Sequence, residues 1–461
     1  MKKQLLVLFL LLAGCATSLP PIDPAQVPTA PEAFKEGDGR WTVAPPAEAQ
    51  PRGEWWRAFN DPVLDDLVER AAAANTSIQV AASRLGQARA FLRATDAERS
   101  PQVNVGASAA RAQGIVGGNA GPARSLFLAG ADFSYEVDLF GRLSHATNAA
   151  RLDAQSREAL LQSTRLLVQS DVAQTYLALR ALDEERSLVR TTVAAYRETL
   201  SLTERRWRAG DVAELDVARA NTEVAATESE ALALDRRRSE LEHALAVLVG
   251  EVPSRFSVAA DEWRSALPVI PAGVPSTVLT RRPDVSAAQQ AMLAAQSRVG
   301  VAKAAYFPRV ALTGFAGYGS TDLSDLFEWS SRAWLLGAVA ALPIIDGGRR
   351  KAGIEASGAE LEGEVARYRE QILVAFKDVE DQLAALRLLA EQAEAQGRAV
   401  TSASRSTALS DVRYRNGYVS QLDLLDAQRS ELRNRRQALQ VRSAQYQSTV
   451  ALVRALGGSW N

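Results

Sequence analysis

The sequence predicts an α+β protein built from two internal repeats, each carrying two β-strands and a very long helical hairpin. Three observations predict it. Segments recur at a constant offset of 207 residues, stretches of 39 to 68 residues contain neither glycine nor proline, and short stretches between them alternate polar and apolar residues.

At the amino terminus Lys2 and Lys3 precede an apolar run from Leu5 to Leu12, the charged and hydrophobic parts of a secretory signal. That run is too short to cross a bilayer as a helix. Leu12-Ala13-Gly14-Cys15 resembles the bacterial lipobox, in which small residues admit the signal peptidase and the thiol receives a diacylglycerol; Ala16 after it resembles lipoproteins sent to the outer membrane. Residues 1–14 are therefore expected to be a signal peptide and Cys15, the single cysteine, the lipidation site. Acyl chains contribute about 0.8 kcal/mol per buried CH₂, so two or more hold this end at a membrane. From Leu19 to Arg52 eight prolines preclude a helix, and residues 15–60 read as an extended, acylated tether.

The duplication follows. Ser100-Pro101-Gln102-Val103 recurs as Phe307-Pro308-Arg309-Val310, Gly141-Arg142 as Gly348-Arg349, and Arg206-Trp207-Arg208-Ala209-Gly210 as Arg413-Tyr414-Arg415-Asn416-Gly417, all 207 apart. One offset held over about 150 positions implies duplication with nearly equal loops. Repeat 1 is placed at 61–250, a linker at 251–273, repeat 2 at 274–457 and a tail at 458–461.

Within repeat 1, strands are expected at about 101–113 and 128–140. Asp132 to Leu139 alternates without error, and Gln102, Asn104, Gly106 and Ser108 face away from Val103, Val105, Ala107 and Ala109. This alternation suits a barrel with apolar side chains toward lipid, and equally a half-buried soluble sheet. In repeat 2 the strands fall at about 308–320 and 333–345; Trp334 to Ile345 is apolar on both faces.

Arg142 to Ala209 offers 68 residues without glycine or proline, enough for a helix of about 100 Å at 1.5 Å per residue. Val168, Val172, Thr175, Leu179, Leu182, Arg186, Val189, Val193, Tyr196 and Leu200 recur with a coiled-coil period. Gly210 supplies the positive φ of a tight reversal, with the turn at 207–213, and Asp211 to Val249 returns as a second helix. Repeat 2 turns at 414–420 around Gly417; Gly353, Gly358, Gly363 and Gly397 in its long helix predict close helix contacts or mild bends.

The balance of 53 Lys+Arg against 54 Asp+Glu lacks the field that nucleic-acid binding needs. His145 and His243 lie in helix-forming stretches without metal-ligand or triad spacing, and no nucleophile, base and oxyanion donor converge, so an enzyme is disfavoured. No mature segment has eighteen consecutive apolar residues, which argues against a transmembrane helix. Four strands are too few to close a barrel, and open edges in lipid cost several kcal/mol per unsatisfied group. A barrel therefore requires several chains; two, three or more satisfy the physics.

Trp55-Trp56-Arg57-Ala58-Phe59-Asn60-Asp61-Pro62, Thr280-Arg281-Arg282-Pro283-Asp284-Val285, Tyr306-Phe307-Pro308 and Leu424-Leu425-Asp426-Ala427-Gln428-Arg429 together resemble the recurring segments of the TolC/NodT-type outer-membrane factors. The resemblance implies an α+β membrane protein, a trimeric 12-stranded transmembrane β-barrel with four strands per chain, continued by a long α-helical coiled-coil barrel through the periplasm. It implies a homotrimer that binds no cofactor and docks on a periplasmic adaptor and a commonly proton-driven inner-membrane pump, with outer-membrane lipid around the barrel. The segment Leu422 to Arg429 resembles the family's periplasmic gate, which assigns Asp423 and Asp426 to a carboxylate ring, Leu422 to an apolar constriction and Arg429 to a latch. The alternative for these charges is a solvated helix face. In repeat 1, Arg219 stands opposite Asp426, so constriction is assigned mainly to repeat 2, with Arg219 expected to pair locally with Asp216. Arg206, Arg208, Gly210, Arg413, Arg415 and Gly417 form the expected adaptor-contact tip; the arginines also suit the carboxyl ends of the long helices. Two other readings keep part of this picture, an exit duct for type I protein secretion and a lipid-anchored coiled-coil scaffold. The scaffold has no use for two amphipathic strand pairs.

Overall fold

The computed structural model describes residues 18–31, 33–36, 53–113, 123–268, 270 and 281–458. The expected signal peptide 1–14, the lipidation site Cys15, Thr280 of the family segment, and residues 459–461 of the expected tail lie outside the described residues. The chain forms two compact units; one contains Ser83–Ala159 and Ala287–Glu370, the other Thr29–Ala82, Leu160–Ser286 and Gln371–Asn461.

The described elements run α1 (Pro62–Ala74), α2 (Thr76–Ala97), β1 (Gln102–Ala112), β2 (Arg124–Val137), α3 (Arg142–Arg208), α4 (Glu214–Leu248), α5 (Pro283–Ala304), β3 (Arg309–Ser320), β4 (Arg332–Ala341), α6 (Arg349–Arg415) and α7 (Gln421–Ala455). The duplication is visible in their bounds, since α2, α3 and α4 start and stop 207 residues before α5, α6 and α7. No helix among the described residues is long and apolar enough to cross a membrane.

In the first unit the strands form one antiparallel sheet in the order β1-β2-β3-β4. Its register places Val105, Ala131, Ala316 and Trp334 side by side on one face, and Asn104, Asp132, Phe315 and Leu335 on the other. A Cβ built on Gly130 would lie 2.6 Å from the Ala316 carbonyl oxygen, and one on Gly317 would meet the Ala129 carbonyl. Both point to the Asn104 face. On the opposite face a Cβ on Gly314 comes no nearer to backbone than the Leu335 oxygen at 3.4 Å. The sheet therefore curls toward the Asn104 side, and the Val105 side is convex.

Three strand ends differ from the sequence expectation, and capping explains the two C-terminal ones. β2 starts at Arg124 and stops at Val137, rather than spanning 128–140. Asp138 is taken by the start of α3, accepting from the amides of Leu143 at 3.1 Å and Ser144 at 2.7 Å. β4 stops at Ala341, short of 345, because Pro343 has no N–H to donate and Asp346 caps α6 through the amides of Gly348 and Arg350 at 3.1 and 3.2 Å. Phe140 and Phe307 stack at 4.7 Å beside this junction. Within the chain, Gly353, Gly358, Gly363 and Gly397 make no close helix contact, since nothing lies within 4 Å of a Cβ at any of them, and α6 runs through all four.

In the second unit, Asp61 organises the core. Its carboxylate caps α1 through Val63 and Leu64, and accepts from the hydroxyls of Tyr176 at 2.8 Å and Ser265 at 2.7 Å. Tyr176 in turn accepts from Arg180 Nε at 2.9 Å, and burial pushes its phenol well above the ordinary range. Phe59, Trp263 and Tyr446 pack alongside, with the Arg442 guanidinium 4.2 Å above the Trp263 ring. The family segment around Trp55 to Pro62 is thus a packing and capping module. Further along, Asp183, almost fully buried, accepts from Arg186 at 3.0 Å and Arg238 at 2.8 Å, joining α3 to α4.

Replacing Asp61 by Ala removes one cap and strands two buried hydroxyls, a loss of about 2–3 kcal/mol. The guanidinium midpoint of the detergent-solubilised protein, followed by far-ultraviolet circular dichroism, should fall accordingly, and Asp61→Asn should fall less.

Candidate functional site

Both hairpin turns are built the same way. α3 ends with Gly210 at φ +83°, the Gly210 amide donating to Trp207 O at 2.9 Å and the Asp211 amide to Arg206 O at 2.9 Å. α6 ends with Gly417 at φ +76°, and Gly417 and Tyr418 bond in the same pattern to Tyr414 and Arg413. These are Schellman closures, and the left-handed residue they require is why glycine stands at both positions.

The arginines of the turns have separate occupations. Arg206 crosses to the other hairpin, where its guanidinium lies 4.8 Å from the Tyr414 ring centroid and donates to the carbonyls of Tyr414 at 3.2 Å and Arg415 at 3.1 Å. It thereby gives the Tyr414 carbonyl a second donor beside the Gly417 amide and reaches the Arg415 carbonyl, both at the carboxyl end of α6 and not of its own helix. Thr203 and Tyr414 share a buried hydroxyl contact of 3.1 Å in the same place. Arg208 pairs with Glu204 at 3.2 Å, Arg415 with Asp411 at 2.9 Å and with Glu198 at 3.2 Å, and Arg413 is exposed.

The four residues assigned to constriction lie at the start of α7. Asp423 is the third residue of a capping box: its carboxylate accepts from the Ser420 amide at 3.0 Å and hydroxyl at 2.6 Å, and the Ser420 oxygen accepts from the Asp423 amide. These bonds hold the Asp423 carboxyl below the usual range. Leu422 is 42% exposed, whereas its neighbours Leu424 and Leu425 are buried. Asp426 is exposed and accepts from Arg429 at 3.2 Å. Arg429 reaches across to α4, donating through Nε to Glu223 at 3.0 Å and through a second nitrogen to its other oxygen. In repeat 1, Arg219 lies 3.7 Å from Asp216.

Glu223 is absent from the set read out of the sequence, and it belongs to a ladder. One heptad further along, Arg436 pairs with Glu230 of α4 and with Glu185 of α3, the latter at 2.7 Å. Tyr196 lines the groove beside these pairs, its phenol pushed up to about 12 by burial and the neighbouring Glu223 charge. The signal was present in the sequence: Glu223 and Glu230 each precede their arginine by 206 residues, one less than the repeat offset, at coiled-coil spacing.

A sequence model of the outer membrane efflux protein family matches residues 67–251 and 274–458. The solvent efflux pump outer membrane protein SrpC of Pseudomonas putida is 32% identical over 100% of this chain and 98% of that protein. The cation efflux system protein CusC of Escherichia coli O6:H1 is 31% identical over 88% of each. Among solved structures, the outer-membrane channel OprN aligns with a TM-score of 0.88 at 28% identity, over 96% of this chain and 100% of that one.

The lowered Asp423 pKa sets a pH dependence. A carboxyl whose pKa is depressed on folding adds stability that is complete above its unfolded value and is lost as pH falls through the folded one. Amide hydrogen exchange in the first turn of α7 should therefore accelerate below about pH 4, the unfolded carboxyl range. Ser420→Ala should remove most of that acid-dependent change.

Proposed function

Because the chain belongs to the outer membrane efflux protein family, we propose that it is the outer-membrane channel subunit of a tripartite efflux system, passively conducting small molecules from a periplasmic adaptor and an inner-membrane pump to the exterior. The observation that carries this reading is the curled four-stranded sheet, apolar on its convex face, with β1 and β4 at its open edges. Such edges are intolerable in hydrocarbon, so β4 of one chain pairs with β1 of another until the ring closes. Three copies give twelve strands, a conduit whose convex face meets lipid. A coiled-coil scaffold would need none of this.

The helical hairpins extend on the periplasmic side, and their turns form the entrance. In the ring, Asp426 supplies a carboxylate to the constriction, Leu422 an apolar collar, and Arg429 the latch that ties α7 to α4. Asp423 contributes charge to the ring and also rigidity to the first turn of α7, through its capping box. The adaptor meets the turns around Gly210 and Gly417 through Arg208, Arg413 and Arg415, while Arg206 keeps the two turns together. An acidic ring of this kind favours cations over anions. Cys15 carries the acyl anchor, held in the outer membrane beside the barrel.

Asp423→Ala combined with Asp426→Ala should raise single-channel conductance in planar bilayers by roughly twofold or more and weaken cation preference. Unchanged conductance would remove both from the constriction. Mass measurement of the detergent-solubilised protein should return three chains, and a stable monomer is incompatible with the conduit. Cys15→Ser should abolish incorporation of radiolabelled palmitate.

A further inference from the structure

Resting on the channel reading above, we propose that Arg111 and Arg332 form a phosphate-binding site for lipid headgroups of the outer leaflet, shared between β4 of one chain and β1 of the next. The register puts both on the convex face, Arg111 opposite Ser125 and Arg332 opposite Tyr318. Among the strand residues of that face these two alone are charged, because Arg124, Asp132, Glu136 and Arg309 alternate onto the concave side. Both stand at the end of their strand away from the helices: Arg332 opens β4, which leads into α6, and Arg111 is the last residue but one of β1, which follows α2. On β2 the apolar side chains of this face begin at Phe127, just past Ser125, and continue to Val137. That stretch is about 33 Å along the strand and about 25 Å high once tilted by about 40°, the height of the apolar band of an outer-membrane barrel. A lipid-facing arginine is costly at mid-depth and nearly free at headgroup level, so confinement to one end places both at the outer headgroups.

Neither guanidinium has a carboxylate partner among the described residues. Arg332 is held by its own loop: Nε donates to the Trp329 carbonyl at 2.7 Å, and the guanidinium lies 3.1 Å from the centroid of the Trp329 ring. Glu328, the nearest carboxylate in sequence, accepts from Ser330 at 3.3 Å instead. The loop is itself fixed, by the buried Leu326, by Phe327 edge-on to Tyr318 at 5.6 Å and by Ser331 Oγ donating to the Asp325 carbonyl at 2.6 Å. A guanidinium flat against an indole presents its terminal nitrogens at the edge, the geometry that grips a phosphate through two parallel bonds. Beside it Trp334 is 78% exposed and Leu336 74% exposed, an apolar surface that acyl chains cover. A free phosphate uses the arginines alone, whereas a phosphorylated lipid uses the arginines and the apolar face together. Because β1 and β4 are the open edges, ring closure brings Arg332 of each chain and Arg111 of its neighbour to adjacent strands at the same end.

The test titrates the full-length, detergent-solubilised protein with three probes and counts bound molecules by native mass spectrometry. The probes are bisphosphorylated lipid A, the same acylated disaccharide without phosphates, and inorganic phosphate. Lipid A should bind tightest. Arg111→Gln and Arg332→Gln should each weaken it about fivefold, and the two together about 25-fold. Arg332→Lys keeps the charge without the fork and should fall between the native protein and Arg332→Gln. Arg124→Gln removes the same charge from the same end of the sheet but from the concave face, and should leave binding unchanged. If the double variant fails to assemble, the single variants decide. Equal binding of the phosphate-free disaccharide, equal binding of inorganic phosphate, no loss in the arginine variants, or an equal loss from Arg124→Gln would each overturn the site. A trimer that conducts potassium yet shows no preference for lipid A overturns this site and leaves the channel reading standing, whereas a monomer overturns both.

Discussion

A four-stranded antiparallel sheet that curls has two unpaired edges, and in hydrocarbon those edges decide everything else. Each backbone N–H or C=O left without a partner costs several kcal/mol there, far beyond what side-chain packing on one sheet returns. The sheet order β1-β2-β3-β4 leaves β1 and β4 as donors and acceptors awaiting a copy. The apolar convex face, the curl at Gly130 and Gly317 and the capping aspartates that stop β2 and β4 all serve closure of a ring. The strands have to end where the helices begin, and Asp138 and Asp346 set that boundary by drawing the chain into α3 and α6.

The helical part answers a different constraint. A helix of 67 residues exposes more lateral surface than its own returning partner can cover, so α3 broadens its buried stripe where Asp61, Tyr176 and Arg180 sit and narrows it toward the turn. Buried charge is concentrated in the broad region and is paired there, Asp183 with three arginines, Arg180, Arg186 and Arg238, and Arg282 with Asp284 and Asp378. Removing one member of such a cluster leaves an uncompensated charge, which is costly even when the cluster itself adds little net stability.

Much of this was legible because duplication prints every boundary twice. Gly210 and Gly417 announced the turns, since a helix without glycine or proline for 68 residues can reverse only where a left-handed residue allows it. The family segments likewise marked the chain's membership. What was not legible depended on partners that periodicity does not encode. The glycines of α6 read as contact points and meet open space within the chain; Asp138 read as the next step of an alternation and is a cap; Arg206 read as a tip cation and is committed to the carbonyls of the other hairpin. Local periodicity cannot report a bond whose partner lies some 200 residues away. At the constriction, charge type and position were readable locally, whereas the Glu223 partner of Arg429 was marked only at long range, by the 206-residue separation it shares with Glu230 and Arg436.

The pairing of Arg429 with Glu223 and of Arg436 with Glu230 runs one residue out of step with the duplication. Two near-identical rods are therefore staggered by a single residue, and both pairs share that stagger. A point substitution loses one pair and leaves the other aligned, whereas inserting or deleting one residue upstream in either rod shifts both pairs at once. The paired charges therefore constrain the lengths of these rods more tightly than their composition.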